Sequence, residues 1–379
     1  MTAGTDKAKP AEQGVPRETP RRNCFAKLGA ALLPVIGEAA TRKLIADIKR
    51  AGYFEIGLLD QSRLIVTKIV ALGDGARHSA ALIESDNDKI RSIGIHVHFE
   101  HFKRDLKKEL KSLKLTGALP GTWTQETGQW VLKNVVHEHG LEKVLPLVSS
   151  WAFDKDPAVR RMLAEGLRPR GVWCKHLTAL KRDPTPIKSM LEALLDDKSD
   201  YVRKAVANNL NDISKDNPDL LCDWIAEWSK GNISAERRWI IQRALRSLIK
   251  SGHLGAQKLM GLGDIDAVDI VWRKPTPKEI VIGQGIPFEI DCRNSSPSPR
   301  QLRLQLLMIG PGKNHKPRLA KYLLGELKIA ANGSGVISKK VKFAHKNFVP
   351  KLPGTYRLQV HCNGKLIAER STKYLGKDL

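Results

Sequence analysis

Residues 155–167 read KDPAVRRMLAEGL, residues 198–210 read KSDYVRKAVANNL, and residues 236–249 read ERRWIIQRALRSLI. With Val159, Val202 and Ile241 in register, the three stretches recur at steps of 43 and then 39 residues. Periods of this length belong to HEAT-like helical repeats, whose helix pairs bury their apolar faces only by stacking on neighbours. In the first stretch Val159, Met162, Leu163 and Leu167 fall on one helical stripe, and in the second Val202, Val206, Leu210 and Ile213 do the same. Asp156 before Pro157 and Ser199 before Asp200 are helix-start signals. The spacing predicts a curved α-solenoid with a concave face.

Upstream, EAATRKLIADIKRAGY and DQSRLIVTKIVALGDG carry the same helical apolar spacing, the second with a glycine stop. Pro and Gly clusters at 117–121, 169–171 and 183–186 mark turns between helices. After Gly263 the pattern changes to alternating runs, EIVIGQGIPFEIDCRN, RQLRLQLLMIG, GSGVISKKVKFA and GTYRLQVHCNGKLIAERS, punctuated by Asn-Gly and Gly-Ser-Gly. That pattern predicts a small β-sandwich of immunoglobulin type, by alternation alone because a Cys…Trp…Cys signature is missing. The expected organisation is multidomain. Residues 1–22 form a polar, disordered leader, 23–262 an all-α HEAT-like solenoid, and 266–379 an all-β immunoglobulin-like sandwich.

The 379 residues carry 64 Lys and Arg against 40 Asp and Glu, a formal net charge of +24. A surface that basic attracts polyanions such as nucleic acid or an anionic membrane, although charge for solubility alone also fits. Half of the excess, +12, falls after residue 263, so the last third is expected to contact a polyanion of the same kind, through GKNHKPRLAK and SKKVKFAHK. No apolar run reaches the length of a membrane span, and the first 22 residues hold no apolar signal core. Cys24, Cys174, Cys222, Cys292 and Cys362 are scattered and odd in number, which suits a reducing compartment and argues against a zinc site. A cytoplasmic, nucleoid-associated protein of bacterial type is expected.

Aligned by repeat, Arg161, Lys204 and Arg243 form a ladder of cations on one side of the stack. With Arg168, Arg170, Lys175, Arg237 and Arg238 they suit the task of holding a nucleic-acid backbone along a groove. Arg160 and Arg203 sit at the edge of the buried stripe, where they can bridge repeats or reach phosphates. Asn208 and Asn209 fit either phosphate contact or packing between repeats. Glu165 lies well round from the apolar stripe, beside Arg161 and Arg168, and Arg161–Glu165 also reads as an ordinary i, i+4 pair.

These residues also resemble a known family. AEGLRPRGVW, DYVRKAVANNLNDISKDNPDL and ERRWIIQRALRSLIKSG look like the AlkC branch of the AlkC/AlkD-type DNA alkylation-repair glycosylases, over about residues 150–262. GKNHKPRLAKYLLGELKIAANGSGVISKKVKF looks like the immunoglobulin-like C-terminal domain that some AlkC proteins carry. The resemblance implies a monofunctional glycosylase that hydrolyses the N-glycosidic bond of cationic N-alkylated bases of the 3-methyladenine and 3-methylcytosine class. It also implies excision without a deep base pocket, unlike the usual flipping arrangement.

A cationic base leaves without protonation, so charge develops on the sugar as an oxocarbenium-like species. An anion near that sugar stabilises it and orients a water. The resemblance points first to Glu165, in the pattern EGxRPRxxW, and second to Asp200, with Trp173 packing on the lesion or its sugar. Each also fits a structural role: Glu165 as an ion-pair partner, Asp200 as a first-turn acid, Trp173 as an apolar plug. The chain departs from the family pattern where Gly171-Val172 replaces Leu-Pro and where Arg243 replaces a common histidine. His96, His98 and His101 lie close in HVHFEH, but neither a carboxylate nor a cysteine frame completes a metal site. Trp123, Trp130, Trp151, Trp224 and Trp228 are expected to fill the core between helices. No GxGxxG or GKS/T loop occurs, so no cofactor is expected. The expected partner is duplex DNA with alkylated bases, bound by a monomer. A non-catalytic DNA-binding repeat protein and a protein–protein scaffold are the competing readings.

Overall fold

A computed structural model describes residues 23–102, 105–171, 174–312, 316–345 and 350–378. The leader at 1–22 and Trp173 lie outside the described residues, as do parts of the two basic segments read as DNA contacts. Two compact units form.

The first unit holds the chain to Leu167, together with Gly171–Leu177 and Pro186–Leu194. Its helices are α1 (Asn23–Arg50), α2 (Leu58–Val70), α3 (Gly75–Ile83), α4 (Asp88–Phe102) and α5 (Leu106–Thr116). After these come α6 (Thr122–His139), α7 (Leu141–Val148) and α8 (Pro157–Gly166). Gly37, at φ 76°, breaks α1, so the amphipathic run from Glu38 onward starts afresh there. Leu28, Leu32, Ile48, Ile65, Ile69, Leu82, Ile90 and Ile93 build one core in this unit. Trp151 is buried, while Trp123 and Trp130 are only half-buried.

The second unit holds Arg168–Arg170, Thr178–Thr185 and Leu195–Leu379. It contains α9 (Thr178–Arg182) and, after the α10 turn (Lys188–Ala193) of the first unit, α11 (Asp200–Ile213) and α12 (Pro218–Trp228). Its remaining helices are α13 (Ala235–Ala244), α14 (Arg246–Ser251) and α15 (Leu254–Leu259). Trp224 and Trp228 are buried in α12.

Helix gives way to strand between Leu259 and Val268. The strands are β1 (Val268–Trp272), β2 (Glu279–Ile282), β3 (Gly285–Asn294), β4 (Arg300–Gly310), β5 (Arg318–Ile329), β6 (Ser334–Lys342), β7 (Gly354–Cys362) and β8 (Lys365–Asp378). They pair as β1-β3-β6 and as β2-β8-β7-β4-β5. The immunoglobulin-like sandwich expected here is not what forms. The five-stranded sheet is mixed, with β2 parallel to β8, the three-stranded one is antiparallel, and together they curl into a half-barrel. Alternation marked the strands, but it says nothing about which strands pair. Register shifts between Leu304 and Gln305, and between Val360 and His361, bend the long strands. Contact of β5 with β6 then joins the two sheets along an edge. Phe288 and Ile290 of one sheet pack with Leu304, Leu306, Leu358 and Val360 of the other in a single core.

The Asn-Gly signal at 363–364 is a tight turn between β7 and β8, with φ of 45° and 80° at its two residues. The Asn363 amide nitrogen donates to Gly263 O and Gln301 O, both at 3.0 Å, and its Oδ1 accepts from Arg303 N.

Candidate active site

Helix α8 begins as read from the sequence, with the Asp156 carboxylate accepting from Ala158 N at 2.8 Å ahead of Pro157. Val159, Met162, Leu163 and Leu167 are buried, and so is Arg161. Its guanidinium donates to Glu126 Oε1 on α6 at 2.7 Å, while Gln129 Nε2 donates to the second oxygen of Glu126. Arg161 is therefore an interhelical cation held by an acid from α6. Glu165 follows it by one turn and is half-buried. Lys133, also on α6, is buried, and its Nζ lies 2.8 Å from where a Cβ on Gly171 would sit. Cys174 Sγ would lie 2.5 Å from the same atom. A side chain at 171 would therefore meet both the Lys133 ammonium and the Cys174 thiol. Lys175 is exposed, and its carbonyl lies 3.4 Å from His137 Nε2.

In the second unit the cations are largely engaged. Arg168 donates to Asp212 Oδ2 at 2.8 Å through Nε and at 2.7 Å through Nη2. Arg170 grips Asp216 with both nitrogens, at 2.6 and 2.5 Å, the bidentate geometry peculiar to arginine. Hydrogen bonding to Asp216 raises the Arg170 pKa above its ordinary value. Arg237 pairs with Asp196, and Lys204 with Asp200 at 2.7 Å. Asp200 is exposed, and the Lys204 hydrogen bond lowers its pKa. Asn208 Oδ1 accepts from Arg246 at 3.1 Å. Arg243 lies 5.6 Å from the Trp239 ring centroid, and Arg238 reaches the Ile233 carbonyl at 3.5 Å. Asn209 is fully buried.

The 43-residue step reappears in atomic detail. Arg160 Nη1 donates to the carbonyls of Asp154 and Lys155, and Arg203 Nη1 to those of Asp197 and Lys198. The Asp154 and Asp197 side chains accept from Asp156 N and Ser199 N respectively. Both arginines thus tie down the turn ahead of their own helix. The Ser199 side chain makes no cap bond of its own.

Sequence reading missed Glu126, Lys133, Asp212, Asp216 and Arg246. The first four are partners contributed by other elements, which no local pattern announces. Arg246, at the start of α14, was the more visible, since ALRSLI puts it three residues after Arg243. Its pKa is lowered by burial first and then by Arg243.

His96 stacks on Trp130 with centroids 6.2 Å apart, and burial pushes its pKa down to about 4. His98 packs on Phe102. Among the described residues no group of three or more His, Cys, Asp and Glu could hold a metal, and no helix is long and apolar enough to cross a membrane.

With this geometry in view, residues 122–248, from the start of α6 into α14, match the family model for DNA alkylation repair enzymes. That stretch contains Glu126, Arg161, Glu165 and the repeat arginines. The chain is 42% identical over 147 residues to the uncharacterized protein YhaZ of Bacillus subtilis (strain 168), a match spanning 39% of this chain and 41% of that protein. Its fold is similar to that of the Pseudomonas fluorescens alkylpurine DNA glycosylase AlkC, solved bound to DNA containing an abasic site analog. That likeness has a TM-score of 0.79 at 22% identity, over 93% of this chain and 97% of the other.

Proposed function

We propose that the protein is a DNA glycosylase that excises cationic N-alkylated bases, of the 3-methyladenine and 3-methylcytosine class, from duplex DNA by hydrolysis. The observation that carries this reading is Glu165 on α8, a half-buried carboxylate within the stretch matched by the repair-enzyme family. Glu126 neutralises the buried Arg161. Glu165, half-buried one turn further on, is the acid we assign to the reaction.

The departing base carries its own positive charge, so the enzyme's contribution is electrostatic. In this mechanism the Glu165 carboxylate faces the deoxyribose, stabilises the oxocarbenium-like sugar as the N-glycosidic bond breaks, and accepts a hydrogen bond from the attacking water. Asp200, exposed and held by Lys204, is the weaker candidate for the same role. Trp173 is assigned contact with the lesion or its sugar. Arg203, Lys204, Asn208, Arg238 and Arg243, with Lys175, are assigned to the DNA backbone. Arg161, Arg168, Arg170 and Arg237 are the remaining cations read as DNA contacts, and each also pairs with an acid.

The test is base release from methylated duplex DNA by wild type, Glu165→Gln and Glu165→Ala, with duplex affinity measured in parallel. Wild type releases the methylated base, and both variants lose at least a hundredfold in rate while binding unchanged, the usual size of a lost acid–base or electrostatic contribution. A wild type that binds duplex and releases nothing reduces the protein to a DNA-binding repeat protein.

A further inference from the structure

Helix α13 has two unlike sides. Ile240, Ile241 and Ala244 are buried on one, while Arg238, Trp239, Gln242 and Arg243 are exposed on the other. Trp239 is 36% exposed, whereas the other described tryptophans are buried or half-buried. A lone exposed apolar residue is ordinary; the surroundings of this one are not. The Arg243 guanidinium, one turn on, lies 5.6 Å from the indole ring centroid. Arg246, at the start of α14, is exposed as well, and neutral oxygens orient it. It donates to Asn208 Oδ1 at 3.1 Å, to Ala207 O at 3.4 Å and to Arg243 O.

Among the described residues, Arg238, Arg243 and Arg246 form no ion pair with an acid. Glu236, the one acid of α13, is half-buried in the first turn, where the helix dipole favours it. Asp212 is the acid whose charge acts on Arg246, and it already holds Arg168 and Lys215. Burial and Arg243 outweigh it, so the Arg246 pKa is lowered. The exposed side of α13 thus sets positive charge without a carboxylate partner beside an aromatic surface.

We propose that Trp239, Arg243 and Arg246 form a binding site for an unpaired nucleotide of single-stranded DNA, the base against the indole and its phosphate on the two guanidiniums. Guanidiniums without carboxylates suit an anion, a tryptophan beside them suits a flat base, and a nucleotide carries both. In a duplex, neighbouring bases cover each other's faces, so only an unpaired base presents one to the indole. Helical rise sets Trp239 and Arg243 about 6 Å apart along the axis, a distance that one or two nucleotides of strand span. The site rests on the reading of the chain as a DNA-binding protein and is independent of base excision.

The probe is a fluorescently labelled oligothymidylate, titrated by anisotropy against the full chain, with a blunt mixed-sequence duplex alongside. Wild type binds both. Trp239→Ala weakens oligothymidylate binding about tenfold at an unchanged salt slope and leaves duplex affinity within about twofold, while Trp239→Phe, which keeps a ring, binds like wild type. Arg246→Gln makes the oligothymidylate salt slope shallower by about 0.7, the value for one phosphate contact on a single strand. Equal oligothymidylate affinity of wild type and Trp239→Ala, equal losses on the two DNAs, a Trp239→Phe variant as weak as Trp239→Ala, or a slope unmoved by Arg246→Gln overturns the proposal. Wild type that binds duplex but not oligothymidylate also overturns it and leaves the glycosylase reading intact. Wild type that binds oligothymidylate through Trp239 but no duplex sustains the site and refutes that reading. Binding of neither DNA refutes both.

Discussion

Arg168 and Asp212 form a buried ion pair across 44 positions of sequence, with the aspartate side chain only 2% exposed and the arginine 13%. Lys215 donates to the other Asp212 oxygen at 2.7 Å. One carboxylate therefore holds the turn after α8 against the end of α11. Removing it takes from a desolvated guanidinium the carboxylate that accepts from both its Nε and Nη2, and Asp212→Ala is expected to lower unfolding free energy by about 3 kcal/mol in urea titrations. Replacing both partners with apolar residues, as Arg168→Met with Asp212→Leu, recovers most of that loss, because the cost lies in the unpaired charge. A double variant as unstable as the single one refutes the account.

The same logic separates the two carboxylates on α6 and α8. Glu126 neutralises buried Arg161, so Glu126→Gln is expected to destabilise the fold by about 2 kcal/mol as well as affect the chemistry. Glu165→Gln is expected to lower the rate of base release at least a hundredfold with duplex affinity unchanged. A Glu126→Gln variant as stable as wild type counts against the ion-pair role of Glu126.

Glu109 on α5 gives the stability a pH dependence. Its carboxyl is buried, 3.2 Å from His139 Nε2. Burial first, and then the charges of Glu138, Glu100 and Asp105, raise its pKa to about 8 from an ordinary 4.5. A carboxyl whose folded pKa lies above its unfolded pKa binds more protons in the folded state through that interval. Its contribution to stability is thus complete below 4.5 and is lost as pH rises towards about 8. Glu109→Gln, which cannot ionise, is expected to flatten the decline of melting temperature across this window and to raise stability most at its alkaline end. A pH profile parallel to wild type refutes the assignment.

Arg370 on β8 ties the two sheets together. Its guanidinium sits 4.2 Å from the Trp272 ring centroid on β1, donates to Trp272 O at 2.5 Å, and also donates to Lys274 O. Arg370→Ala is expected to cost about 1–2 kcal/mol in chemical denaturation. Arg370→Lys restores less than half of it, since an ammonium lacks the planar stack and the forked donors.

What the sequence disclosed follows from how local each signal is. The helix starts at Asp156 and Ser199, the 43-residue step and the Asn363-Gly364 turn were legible because each is written within a few neighbouring residues. The parallel pairing of β2 with β8 joins Glu279 to Lys373 across most of the sheet region, and no alternation pattern encodes it. The immunoglobulin-like expectation failed there. The basic ladder was legible as charge, whereas Glu126, Asp212 and Asp216, which neutralise Arg161, Arg168 and Arg170, lie 35 to 46 residues from the cations they hold.

The Asn363 amide that bonds both Gly263 and Gln301 has a mechanical meaning. Lys365, two residues on, reaches Asp264 and Asp266 at 2.7 Å each, so the covalent connector entering the sheets is clasped again by their final hairpin. A protease cutting at Asp264–Asp266 would sever the thread and leave the knot: the two fragments would separate in denaturing electrophoresis yet travel together through a sizing column.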